Sequence, residues 1–319
     1  MKRNVLITAI GGDIAQGIAS ILRLTFPDWC LTGIDVHTRH AGSIFVDEFH
    51  EGPRALDEGY EESLKTIVKR GDIDLVIPTS EAELLFLVSK GYRKIGGAHL
   101  LMPNQLAINI GADKLTTAQF LHSIGLPTPW TFLAEEFEQK KQLPCIFKPR
   151  RGAGSKAVYL CESAEEVKFY RQRHADAIVQ ELLLDADQEV TCGVFRSGDG
   201  SIAVLQLLRT LTGGFTGWAQ VIDDPSVLSQ CTILANALHL RGSINVQLRI
   251  TQDGPRIFEI NPRFSSTVLM RHQMGFCDLV WSIQDLYGKP LQLFSPLVGT
   301  TAVRLQGSQL IKNNLNIQV

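Results

Sequence analysis

The sequence has little of what marks membrane, secreted and nucleic-acid-binding proteins. Its formal net charge is only −2 at pH 7, so it has no excess of basic residues to bind a phosphate backbone, and we expect no nucleic-acid partner. No apolar run approaches the roughly 20 residues that a membrane span needs, and the run that begins at Val5 is too short for a signal peptide. We therefore expect no membrane partner and a cytoplasmic protein.

Cysteine motifs, repeats and low-complexity tracts are also lacking. The six cysteines are scattered, without Cys-x-x-Cys spacing and without a partnering histidine cluster, which argues against a zinc site and predicts reduced core thiols. What the sequence does have is 319 residues at 45% hydrophobic content, enough to bury one large core and to form two domains.

The N-terminal part of the sequence alternates strand-like and helix-like segments. An apolar segment from Asn4 to Ile10 precedes a glycine turn and a helical pattern, and further strand-like segments follow at 31–35 and 75–78. This alternation predicts a parallel sheet. Asp35 at a strand end invites a dinucleotide-binding interpretation, but the turn departs from Gly-x-Gly-x-x-Gly. The spacing therefore argues against NAD and against an oxidoreductase.

The most informative stretch is Phe258–Arg263. Glu259 and Asn261 stand two residues apart on a predicted strand, so their side chains project from one face. The preceding strand carries Gln247, and a hairpin turn over residues 252–254 sets it beside Glu259. Carboxylate and amide oxygens suit Mg²⁺, and Arg263 faces the same phosphate charge. The alternative is an ordinary strand and turn with solvated polar residues.

A second motif upstream is a basic glycine-rich loop between two short apolar strands. It follows Lys148 and contains Gly152 and Gly154, and glycines let the backbone approach a phosphate closely. The loop lacks the spacing of a Walker A motif and opens no helix, so a hairpin flap fits better. The alternative is a solvated turn.

The order of these motifs resembles that of ATP-grasp enzymes, in particular the carbamoyl-phosphate-synthase-like group of single-chain proteins. The resemblance runs from about Val5 to about Gly288 and is strongest between Lys114 and Thr267. It implies a mixed α/β and α+β fold, with a Rossmann-like preATP-grasp domain at 1–108 followed by a two-lobed ATP-grasp fold at 109–319. The lid lobe would comprise residues 109–184, and the metal and catalytic lobe residues 185–319.

The resemblance also implies roles for individual residues. Lys114 would reach a phosphate from a helix start, Lys148 would lie between adenine and the α-phosphate, and Glu189 would bind the ribose. The flap would cover the β- and γ-phosphates. The segment 178–183 would form a hinge strand that binds adenine through its backbone. The positions that match the family's nucleotide contacts are Lys114, Lys148, Gly152, Gly154, Ser155, Gln180, Glu181, Leu183, Glu189 and Gln247.

For the metal, the resemblance implies Mg²⁺, with Mn²⁺ as an alternative, held by Gln247, Glu259 and Asn261. For the activity, it implies a ligase that joins a small-molecule carboxylate to an amine through an acyl phosphate, and it allows a homodimer. Two other interpretations stay open: a carbamoyl-phosphate-synthase-like kinase of a small acid, and an ATP sensor without turnover.

The acceptor side is less well defined by the sequence. Arg263 and Lys148 are the predicted catalytic cations. Arg209 is either a third one, which pairs with a substrate carboxylate, or an arginine that caps the strand end or screens nearby charge. The segment 265–267 either binds the acyl group or caps the next helix, which would place Arg271 on its exposed face. Glu83 and His272 are candidate acceptors for the amine proton. Glu81 and Glu83 follow a strand end, where such a sheet places loops that face a ligand; alternatively they open a surface helix.

Overall fold

The computed structural model describes residues 2–140, 142–152, 157–184 and 188–309. Within these ranges the chain forms three β-sheets, of six, four and six strands in chain order. The first sheet is largely parallel, whereas the other two are antiparallel. No helix among the described residues is both long and apolar enough to cross a membrane.

The first sheet has the strand order β3-β2-β1-β4-β6-β5, in which only β5 runs antiparallel to its neighbour. Its central strand β4 is buried along its whole length, as expected when helices cover both faces of a parallel sheet. The elements are β1 (Asn4–Thr8), α1 (Asp13–Thr25), β2 (Cys30–Asp35), β3 (Glu48–Glu51), α2 (Tyr60–Arg70), β4 (Leu75–Ile77), α3 (Glu81–Ser89), β5 (Lys94–Ile95) and β6 (Ala98–Leu100). The predicted parallel sheet is thus confirmed.

The second sheet has the order β7-β10-β8-β9. Strands β8 and β9 form the hairpin that carries the glycine-rich loop. Residues 153–156 of that loop, including the predicted flap residues Gly154 and Ser155, lie outside the described residues. The elements of this region are α4 (Gln105–Gly111), α5 (Lys114–Ser123), β7 (Thr131–Leu133), α6 (Phe137–Lys140), β8 (Cys145–Pro149), β9 (Tyr159–Cys161), α7 (Ala164–Arg171) and β10 (Ala177–Glu181).

The third sheet has the order β15-β14-β11-β12-β13-β16. Its residues alternate between two faces: Val190, Cys192 and Val246 pack into a core with α8, while Thr191 and Gln247 face the opposite way. The elements are β11 (Glu189–Arg196), β12 (Ile202–Thr212), β13 (Phe215–Ile222), α8 (Pro225–Ala237), β14 (Gly242–Thr251), β15 (Gly254–Asn261), α9 (Val268–Gln273), α10 (Asp278–Leu286) and β16 (Thr301–Val303).

The β14–β15 hairpin forms as its sequence predicts. Gln247 stands opposite Glu259, and Asn245 opposite Asn261. The register shifts after Gln247, so that Leu248 stands opposite Ile257 and Phe258 is the extra residue of a bulge. A bulge turns side chains away from strict alternation, and here both Phe258 and Glu259 line the same cavity.

Candidate active site

A cavity of about 340 Å³ opens where the second and third sheets meet. Its wall combines apolar side chains with cations and carboxylates, a composition typical of sites for small charged ligands. Ten residues with predicted site roles line it: Lys114, Lys148, Gly152, Gln180, Glu181, Leu183, Glu189, Arg209, Gln247 and Glu259. The structure therefore brings together residues that are more than 140 positions apart in the sequence.

Lys148 lies on β8 and points into this cavity with only 6% of its surface exposed. Its Nζ is 5.6 Å from the centroid of the Phe258 ring. Burial lowers the pKa of Lys148 to about 8; nearby Lys114 acts in the same direction, and Glu259 and Glu189 oppose it. A buried ammonium without a close acid is costly, and an anionic ligand would relieve that cost.

Lys114 begins α5 and reaches the start of the glycine-rich loop. Its Nζ donates to the carbonyl oxygen of Gly152 at 2.7 Å. The preceding residue, Asp113, caps the helix by accepting from the backbone amides of its first turn and also pairs with Arg150 and Arg151. Asp113 thereby ties the loop to the helix that carries Lys114, a link that the sequence did not reveal.

The predicted hinge lies at the end of β10. The Gln180 side chain donates to Thr131 Oγ1, and the Glu181 carboxylate pairs with Arg256 at 2.6 Å. The carbonyl oxygen of Leu183 accepts from the Arg249 guanidinium. Because the Gln180 and Glu181 side chains are occupied by the protein, the hinge contributes the apolar residues Leu182 and Leu183 to the cavity wall.

Glu189, the predicted ribose acid, lies between two arginines. Its Oε1 accepts from Nε and Nη2 of Arg209 at 3.0 and 2.6 Å, and its Oε2 accepts from Arg249 at 3.1 Å. The partner of Arg209 in the structure is therefore an acid of the protein. The contact of Arg209 with a substrate carboxylate stays a prediction.

The predicted metal ligands lie on adjacent strands. Gln247 and Glu259 line the cavity, whereas Asn261 is buried beyond its wall and accepts from Arg263 Nη2 at 3.1 Å. Among the described residues, no hydrogen bond or close ion pair occupies the carboxylate of Glu259. No group of three His, Cys, Asp or Glu side chains suited to a metal occurs in the described part of the chain. A metal here would depend on one carboxylate, amide oxygens and oxygens of the ligand.

Comparisons with known proteins agree with this geometry. A sequence profile of the ATP-grasp domain family matches residues 111–267. The chain is 28% identical over 221 residues to a carbamoyl-phosphate synthase of Methanobrevibacter smithii, an alignment that covers 67% of this chain and 58% of that protein. It is 29% identical over 213 residues to a D-alanine–D-alanine ligase of Rhodococcus opacus, covering 56% of this chain and 58% of the relative.

The solved structure of an N5-carboxyaminoimidazole synthetase from Staphylococcus aureus complexed with ADP superimposes with a TM-score of 0.75 at 17% identity, over 94% of this chain and 80% of that one. Residues 111–267 of this chain are thus similar to an ATP-grasp domain in sequence, and the chain shares the fold of this solved structure. The predicted fold class, a Rossmann-like domain followed by an ATP-grasp fold, is thereby confirmed. The chain spans about 58% of the length of the two curated relatives, and the predicted domain boundaries stay a prediction.

Just beyond the end of β15, Arg263 meets an acid from the first turn of α3. Its Nη2 lies 3.4 Å from Glu81 Oε1, and both side chains are largely buried. Burial raises the pKa of Glu81, although Arg263 and Lys114 oppose the shift. The sequence suggested that Glu81 either faces a ligand or opens a surface helix; its ion pair with Arg263 spans 182 positions and left no local signal.

Glu83, by contrast, is not available as a proton acceptor. Its carboxylate accepts from Thr8 Oγ1, Tyr60 OH and Ser80 Oγ, each at 2.8 Å, and only 6% of the residue is exposed. Glu83 and His272 lie outside the lining of the cavity, as do Glu81 and Arg263. Glu83 is a buried structural acid that closes a capping box at the start of α3.

Two further expectations for the segment after Arg263 need correction. Thr267 precedes α9 but makes no capping hydrogen bond through its side chain, which instead contacts Ser265 Oγ at 2.7 Å. Arg271 is not on an exposed face: it is fully buried and pairs with Asp278 at 3.1 Å. The short helix α9 packs against α1 and α10, and the Arg271 side chain lies against Gly193 of β11.

The glycine turn of the first sheet is occupied by the protein itself. The backbone amide of Gly11 donates to Asp35 Oδ2 at 2.8 Å, and that of His37 donates to Asp35 Oδ1. Each oxygen of Asp35 thus accepts from one backbone amide, and the absence of an NAD site stays a prediction.

Proposed function

We propose that this protein is an ATP-dependent ligase that joins a carboxylate to an amine through an acyl phosphate. The observation that supports this best is one cavity whose wall holds two lysines, Lys114 and Lys148, opposite the unoccupied carboxylate of Glu259. Cations that neutralise phosphates and a carboxylate that holds a divalent ion are both needed to transfer the γ-phosphate. The names of the three relatives, a synthase, a ligase and a synthetase, are compatible with this chemistry.

In this proposal the nucleotide occupies the cavity from the hinge at the end of β10 to β15, the strand that carries Glu259. Adenine contacts the backbone of Glu181 and Leu183, the ribose contacts Glu189, and Lys148 and Lys114 contact the phosphates. Gly152 and the rest of the loop cover the phosphates. The apolar ring of Phe258 lies beside Lys148 and gives the adenine-proximal part of the cavity a dry wall, which strengthens charge interactions inside it.

The residues present fit a magnesium ion that arrives with ATP. Glu259 supplies a carboxylate and Gln247 lies opposite it, while Asn261 retains one acceptor lone pair beside its bond from Arg263. Mg²⁺ takes a few oxygen ligands from a protein and the rest from phosphates and water; Mn²⁺ accepts the same donors. When bound, the ion would neutralise charge on the transferred phosphoryl group.

The first step needs little from the protein beyond alignment and charge. A substrate carboxylate oxygen attacks the γ-phosphorus, the bond to the β-phosphate oxygen breaks, and ADP leaves. The attacking carboxylate carries no proton, so this step needs no general base. Arg263 and Lys148 stabilise the phosphoryl charge as it spreads.

In the second step an amine attacks the acyl carbon and phosphate leaves. We assign Glu81 to this step, because it is the acid that pairs with Arg263 and lies within electrostatic range of Lys114 and Glu259. Its carboxylate would hold the substrate ammonium and accept a proton from it. Burial, which raises the pKa of Glu81, makes it a stronger base than an exposed glutamate.

The test is release of ADP and phosphate from Mg·ATP with amino acids and small carboxylic acids, singly and in pairs, with mass spectrometry of the products. Release that requires a pair, with a product mass equal to both substrates minus water, supports the ligase. Acyl phosphate formed without an amine would instead identify a kinase of a small acid. Tight ATP binding with no turnover on any pair would identify a sensor and contradict the proposal.

A further inference from the structure

A second cavity, of about 700 Å³, lies where the segment 93–104 of the first region meets the third sheet and α10. It shares no lining residue with the ATP cavity. Its volume falls within the range of small-molecule sites. No role for it follows from the proposed ligase reaction.

The rim of this cavity is cationic. Arg93, Lys94 and Arg241 line it together with His99, and in the described part of the chain neither arginine nor Lys94 takes part in an ion pair. The one acid in the lining is Asp285, whose Oδ1 accepts from the backbone amide of Gly198 at 2.9 Å. The lining therefore has an excess of positive charge.

The floor of the cavity is apolar. Leu101, Met102, Phe264 and Leu286 contribute to the lining, and Leu101 and Phe264 belong to the core that joins the first sheet to α9 and α10. The polar side chain of Asn104 is occupied, because it bonds to the backbone of Leu238 and Arg241. A ligand that matches this lining carries a negative charge at one end and an apolar body at the other.

We propose that this second cavity is a binding site for a small organic anion, whose carboxylate or phosphate contacts Arg93, Lys94 and Arg241 while its apolar body covers Phe264 and Leu101. Three cations around one cavity suit an oxyanion, and the two arginines can each bind it with paired donors. The site shares no lining residue with the ATP cavity. A failure to bind an anion here would therefore contradict this proposal and leave the proposed ligase activity unaffected.

His99 provides a spectroscopic probe inside this site. Burial lowers the pKa of His99, and Lys94 and Arg3 act in the same direction; its ring also meets Tyr287 edge to face at 5.7 Å. A bound anion would favour the charged imidazole, so it should raise the pKa of His99. The shift can be followed by NMR of the imidazole carbons, with His99→Gln used to assign the resonance.

Four probes separate charge from apolar contact in the full chain. Phenyl phosphate and benzoate share a ring and differ in the anion; benzyl alcohol lacks the charge, and inorganic phosphate lacks the ring. We expect at least one of the two aromatic anions to raise the pKa of His99 at millimolar concentration, and whichever binds tighter identifies the headgroup. Benzyl alcohol should have no effect, and inorganic phosphate should bind at least fivefold more weakly than the tighter aromatic anion.

Variants then locate the site. Arg93→Ala and Arg241→Ala change exposed side chains, so they should fold, and each should weaken binding of the aromatic anion at least fivefold. Arg171→Ala removes an exposed arginine on α7 and should leave it unchanged. The proposal is overturned if neither aromatic anion shifts the pKa of His99, if inorganic phosphate binds as well as the tighter aromatic anion, or if the three variants behave alike.

Discussion

Two polar regions of this molecule look alike in sequence and differ in the structure. At the carboxyl ends of β1, β2 and β4, Asp35 accepts from two backbone amides, and Glu83 accepts from three hydroxyls. In the cavity between the second and third sheets, Lys148 and Glu259 have no close partner among the described residues. A buried polar group that the protein satisfies stabilises the fold, whereas one left unsatisfied is available to a ligand. Substitutions in the first region should therefore lower stability, whereas substitutions in the cavity should lower turnover.

The largest contrast should come from Glu259→Ala. Loss of the proposed metal-binding carboxylate should lower turnover on the order of 10³-fold, because charge stabilisation in the transition state disappears. The melting temperature should change little, since no protein contact is lost. Turnover is measured by ADP release and stability by thermal unfolding; unchanged turnover would remove Glu259 from the site.

Arg263→Ala should have the next largest effect. Through its ion pair with Glu81, Arg263 links the end of β15 to the first region. We expect turnover to fall about 100-fold, in line with the loss of one charge-stabilising donor, with a smaller change in ATP affinity. Single-turnover kinetics and calorimetry separate the two. Arg171→Ala, on the exposed surface of α7, is the matched control. A loss confined to ATP affinity would contradict the assigned role.

Glu83→Ala should affect the fold and not the chemistry. It leaves the hydroxyls of Thr8, Tyr60 and Ser80 without their acceptor inside the first region, which should cost about 3 kcal/mol of unfolding free energy. Chemical denaturation measures the loss, and Glu83→Gln, which keeps one acceptor, should recover part of it. If stability were retained while turnover disappeared, Glu83 would belong with the catalytic acids.

The smallest effect is a pH dependence that originates at Lys148. Because its pKa is lowered to about 8, the side chain is charged below that pH and neutral above it. Bound phosphate favours the charged form, so ATP binding takes up a proton above pH 8. Affinity should therefore fall about tenfold between pH 7 and pH 9. Calorimetry should show this dependence in the wild type and a flat profile in Lys148→Gln.

Much of the fold and the site followed from local patterns. The alternation of strand and helix predicted the parallel sheet, and the hairpin turn at 252–254 predicted that Gln247 faces Glu259. Local patterns could not predict the bulge that brings Phe258 beside Glu259. They also could not predict the ion pairs through which Asp113 links the glycine-rich loop to α5. Both depend on contacts with other elements, and strand spacing alone would place Phe258 on the opposite face.

The sequence by itself determined the order of the motifs, the ATP-grasp resemblance and the strand register of the predicted metal ligands, because hydrophobic period and turn length act over a few residues. Only the tertiary structure decided which charged groups are satisfied. It joined Glu81 to Arg263 across 182 positions, buried Arg271 against Asp278 and surrounded Glu83 with hydroxyls. The physical reason is that the cost of burying a charge depends on long-range partners, which no local pattern specifies.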